Sequence, residues 1–165
     1  MALFRKTTQV RPETFIEQES AKALGETSEQ LGGLFSACKV QVRSSKEVAM
    51  LSGFMPLLAM SLARLDAGIQ RGYATAFGQK MEAAYGNPAA GQFQERTLEY
   101  LSAFGKDISE GHGDKFPSLM SAALNNICGT SDETVGLCRL GLLQFLLPSL
   151  RFDVEVFGEL KFVGS

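Results

Sequence analysis

Residues 135–150 read VGLCRLGLLQFLLPSL, a run of sixteen residues in which Arg139 is the only charge. Such a run is buried either in lipid or in protein, and its length decides between them. A bilayer-crossing helix needs about 20 consecutive apolar residues, and this run is cut at Pro148. A second apolar run, 48–63, carries no charge but contains Gly53 and Pro56. Both therefore read as core helices of a globular domain. No transmembrane segment is expected, and peripheral membrane contact stays open. With 45% hydrophobic and 21% charged residues the chain falls in the ordinary globular range. Its 165 residues make one domain.

Capping signals divide the rest of the chain into helices. Pro12-Glu13 opens a segment whose Phe15, Ile16, Ala23 and Leu24 share a face, and Gly25 ends it. Thr27 with Gln30, and Ser44 with Glu47, have the spacing of a capping box. From there Leu51, Met55, Leu58, Leu62, Leu65 and Ile69 step by threes and fours, continued by Tyr73, Phe77 and Met81. This predicts one long helical pattern, kinked or restarted at Pro56 and closed by Gly86-Asn87-Pro88. Phe93, Tyr100, Leu101, Phe104 and Ile108 mark the next helix, and Phe116, Leu119, Met120, Ala123 and Ile127 another. The run 135–150 is the last, capped by Thr130-Ser131-Asp132-Glu133.

Alternation offers two strand candidates. One is Cys38, Val40 and Val42; the other is Phe152, Val154 and Val156 followed by Leu160 and Phe162. The fold expected is mainly α, a bundle of about five to six helices over residues 1–165. It carries a flexible arm at 1–12, an extended tail at 151–165 that supplies a small C-terminal β element, and the run 135–150 at its centre.

For function the residues exclude more than they select. A net charge of −2 provides no basic field for nucleic acid. Three cysteines without metal-site spacing read as free thiols, and the N-terminus lacks the apolar core of a secretion leader. A cytoplasmic location is the default expectation. No nucleophile elbow or phosphate-cradling loop is present, and no cofactor is indicated.

The single histidine, His112, lies in a glycine-flanked loop near Asp107, with Glu110 and Asp114 on either side. Glu110, His112 and Asp114 are candidate metal ligands, because imidazole and carboxylates suit divalent ions and glycines allow them to converge. The spacing matches no known metal loop, and a solvated loop is the plain alternative.

Gly68 and Gly72, with Arg64 and Arg71 beside them, form a small-residue face on which a partner helix can settle and an acidic group be gripped. Ordinary internal packing is the alternative there. Phe152 and Phe157 give the tail an apolar contact for a partner. Arg139 has three outcomes: it snorkels to water, pairs with a carboxylate of another helix, or holds an anionic ligand. The reading is of a non-catalytic protein–protein interaction module: an adaptor, a chaperone-like protein or an assembly subunit, with a protein partner or self-association. A helical sensor or carrier, binding a small apolar or anionic ligand in the bundle core, is the alternative. A metal-dependent enzyme around His112 is the third.

Overall fold

The computed structural model describes residues 8–131 and 135–164. Helix α1 (Pro12–Lys22) starts where expected, with proline at its first position, where a missing amide costs nothing. It does not stop at Gly25. It passes through a π-helical turn (Ala23–Thr27) directly into α2 (Ser28–Ala37). Thr27 keeps helical backbone angles and makes no capping bond, so no capping box forms there.

α2 closes in a Schellman turn. The Lys39 amide donates to the Ser36 carbonyl, the Val40 amide donates to the Phe35 carbonyl, and Lys39 is left-handed at φ 57°. That turn uses the amides a strand would need, so residues 38–43 are a connection rather than the strand their alternation predicts. Val40 and Val42 still pack against the core.

Helix α3 (Ser45–Leu62) buries twelve of its eighteen residues. It packs against the π turn, α2, α4 (Ala67–Tyr85), α5 (Ala89–Ser109), α6 (Pro117–Cys128) and α7 (Gly136–Gly158). The bundle is therefore centred on α3, not on the run 135–150 within α7. Leu137 of α7 is 84% exposed, whereas α3 carries no charge after Lys46 and Glu47 in its first turn. Glu47 is not a capping partner of Ser44 either. Its carboxylate accepts two bonds from Arg96 of α5, at 2.8 and 2.9 Å, and fastens α5 to the start of α3.

Pro56 lies inside α3 without ending it. Proline there leaves the Ser52 carbonyl without its amide, and the next carbonyl, that of Gly53, accepts the Tyr73 hydroxyl of α4 at 2.8 Å, which ties α4 to this part of α3. The break in the expected 51–81 pattern comes later, at a second Schellman turn. Arg64 donates to Ser61, Leu65 donates to Met60, and Arg64 is left-handed at φ 59°. Asp66 then caps α4 by accepting the Gly68 amide at 2.8 Å.

The largest correction concerns 151–165. α7 continues through Pro148 to Gly158, so most of the expected tail is helix. Pro148 and Gln144 both lie on the exposed side, where water can satisfy the carbonyl that proline leaves without an amide. Leu142, Leu146, Leu150 and Phe157 are buried, while Phe152 and Val156 are exposed, which is the helical period.

Among the described residues of that tail the strand is β2 (Lys161–Phe162). It pairs in parallel with β1 (Gln9–Val10), Gln9 opposite Lys161 and Val10 opposite Phe162. The architecture is thus mainly α with a small β element at the C-terminus, and its partner strand comes from the stretch expected as a free arm. Residues 1–7 of that arm lie outside the described residues. Phe15 of α1 fastens the same corner: Phe157 and Phe162 both meet its ring edge-on at 5.2 Å.

Candidate functional site

The Arg139 question resolves towards protein. The half-buried guanidinium donates to Ser121 Oγ at 2.5 Å and to the Pro117 carbonyl at 3.3 Å, both on α6. Asp132 and Glu133, of the cap expected before the run 135–150, lie outside the described residues.

Asp107 also has a structural use. It is fully buried on α5 and accepts the backbone amides of Ser118 at 2.8 Å and Leu119 at 3.0 Å. These are free amides of the first turn of α6, so a neighbouring helix supplies the cap that α6 lacks. Glu110, His112 and Asp114 are all exposed around the intervening turn, whose backbone is tied by His112 N–H donating to the Asp107 carbonyl at 2.7 Å. Among the described residues no group of three or more His, Cys, Asp or Glu side chains is placed to hold a metal ion.

Gly72 lies under Ile16 of α1, so the small-residue face of α4 is used inside the molecule. Gly68 belongs to the Asp66 cap. Arg64 sits in the turn before α4 and Arg71 on the helix itself, both exposed, so helical spacing does not align them. The two tail phenylalanines separate: Phe157 is core, and Phe152 is 63% exposed.

Two concave features bear on function. The first is an apolar groove of about 470 Å³ between α5 and α7. Both helices lean on α3, yet among the described residues they share no extended contact. Phe104 and Ile108 form one wall, Leu147, Leu150 and Val154 the other, and Leu62 and Phe116 also line it, with Arg151, Glu155 and Asp114 among the polar lining. Leu62 is 44% exposed and Ile108 53%. Phe116 adopts the left-handed conformation at φ 46°, rare for an aromatic residue. The Asp107 cap on the next two amides holds that turn in place.

The second feature is a cleft of about 340 Å³ lined by α1, the π turn, α3 and α7. Glu19 and Asp153 line it with Lys22, against Met55, Pro56, Phe145 and Phe152. Burial holds both carboxyls above their usual range; the Asp153 charge raises Glu19 further, and Lys22 opposes the rise at both. Chemically, it favours neutral or cation-paired carboxyl groups.

Neither feature was predicted as a site. By spacing Ile108 reads as part of the buried face of its helix, yet Leu98, Leu101 and Ile108 are all exposed and together exceed what one buried stripe can hold. Glu19 and Asp153 have no local signal, because they meet only through the packing of α7 near α1. Among the described residues no helix is long and apolar enough to cross a membrane. Compared with protein-family models, curated proteins and solved structures, the chain matches none.

Proposed function

We propose that this chain is a non-catalytic interaction module that receives the apolar face of a partner helix in the groove between α5 and α7. The observation that carries this reading is the groove itself: two helices held apart on α3, with Leu62 and Ile108 open to solvent between them. An amphipathic helix presents apolar side chains at three- and four-residue spacing, which suits such a trough. The alternative of an anionic ligand held by Arg139 has lost its motivation, because the guanidinium already bonds Ser121 and Pro117.

The test is affinity purification of the full chain from its native extract, read by quantitative mass spectrometry. The native chain is compared with Ile108→Glu in the groove and Leu137→Glu on a separate exposed patch. Both substitutions fall on exposed positions and leave the core intact. A partner kept by the native chain and by Leu137→Glu, but reduced about tenfold or more by Ile108→Glu, is the expected result. Partners kept equally by all three chains overturn the proposal.

A further inference from the structure

We infer that Cys38 and Cys138 form a reversible disulfide that fastens the end of α2 to the first turn of α7 when an oxidant is supplied. The inference is independent of the groove. In the linear chain the three cysteines look unrelated, but the fold brings them to one junction. Cys38 is the C-terminal cap of α2, Cys128 ends α6, and Cys138 lies at the start of α7.

Helix α2 packs on α7, and Cys38 and Cys128 both lie close enough to Cys138 to act on its thiol. Gly141, one turn beyond Cys138, leaves room for the approaching sulfur. Cys38 Sγ lies 3.9 Å from the point where a side chain at 141 would begin. Cys38 is half-buried while the other two are buried, so Cys38 is the thiol that a dissolved oxidant meets first. Burial and its sulfur neighbours push Cys138 up to about 12, which keeps it a protonated partner rather than the first nucleophile.

The chemistry with a peroxide balances as follows. The Cys38 sulfur attacks one peroxide oxygen and breaks the O–O bond, giving a sulfenic acid and one water. The Cys138 sulfur then displaces the hydroxyl, its proton leaving with it as a second water. Two thiols each lose one electron and one proton, and the peroxide takes up both electrons and both protons as it becomes two waters. The new bond joins separate helices, so it constrains the fold, which a link within one helix would not. It also anchors one end of the 38–44 connection, whose Val40 and Val42 line a pocket with Ser36 and Val48.

The experiment exposes the reduced full chain to one equivalent of hydrogen peroxide, alkylates the remaining thiols and maps peptides without reduction. Cleavage after Lys, Arg and Glu separates Cys128 from Cys138, because Glu133 lies between them. The expected product is a Cys38–Cys138 linked pair with Cys128 alkylated after unfolding. A rise in thermal midpoint that reductant reverses should accompany it. Cys128→Ser should form the same link. A Cys128–Cys138 link in the native chain overturns the inference, as does Cys38 arrested as a sulfinic acid or three thiols left intact. Since the decisive reading is made on the native chain, a variant that fails to fold does not protect it.

Discussion

At the scale of single residues, two glycines on adjoining helices separate tight packing from permissive packing. A Cβ at Gly53 would overlap the Phe77 ring, which is fully buried and also packs against Phe93 at 4.7 Å. Aromatic rings confined on several sides have nowhere to move. Gly53→Ala should therefore cost about 1–3 kcal/mol through overpacking, and more if the Tyr73 bond to the Gly53 carbonyl is lost with it. At Gly72 the added carbon meets only Ile16 Cδ1, the far end of a flexible side chain. Alanine is also the better helix former by about 1 kcal/mol. Gly72→Ala should thus leave stability within about 1 kcal/mol of the native chain, on either side. Denaturant unfolding of both variants checks the contrast, and equal destabilisation would refute it. The Gly68–Gly72 pattern that reads as one docking face in the sequence divides into the Asp66 cap at Gly68 and an internal contact with Ile16 at Gly72.

At the scale of elements, α6 depends on α5 for its beginning. Its N-cap residue, Phe116, has no side-chain acceptor, and Asp107 supplies both oxygens from the neighbouring helix. Asp107→Ala leaves two amides without partners and should cost about 2–3 kcal/mol. Asp107→Asn retains one acceptor and should cost less. Hydrogen exchange should accelerate at Ser118 and Leu119 before it changes in α3.

That cap also shows how much of the molecule was legible beforehand. The start at Pro12 and the end at Gly86 follow from local chemistry and the structure keeps them, whereas the start after Ser44 falls where expected without the capping box that predicts it. The apolar run 48–63 was legible as core because it lacks charge. Asp107 was visible as an acid in a polar stretch, but its partners lie across a loop, beyond any three-residue capping rule. Alternation at Phe152, Val154 and Val156 was too short to outweigh the helix already running into it. The groove was hidden because a sequence cannot say that α5 and α7 stand apart on α3. Hydrophobicity reveals a core helix but not its neighbours, so it does not tell α3 from the run 135–150 as the central one.

At the scale of the whole molecule, the two ends of the chain are fastened at one corner by β1 with β2 and by Phe15 with Phe157 and Phe162. On the flank of α7, Glu19 and Asp153 carry a pH dependence. Burial is the leading cause at both, and Lys22 offsets it only in part. A carboxyl whose folded value lies above its unfolded value favours folding in its protonated form. That contribution is complete below the unfolded value and is lost as pH rises through the folded one. Here the ordinary values are 4.5 for Glu19 and 3.8 for Asp153, so the loss begins in this acid range and continues above it. Asp153→Asn removes one such group and relieves the other, because the Asp153 charge also raises Glu19. The variant should match the native chain most closely in acid and unfold at a higher temperature than it at pH 7. Thermal unfolding of both proteins between about pH 3.5 and 8 tests this. A gap that is constant across that range would mean that the substitution acts through packing alone. A native chain that gains on the variant as pH rises would mean that Lys22 outweighs burial, and the cleft would then favour charged carboxylates.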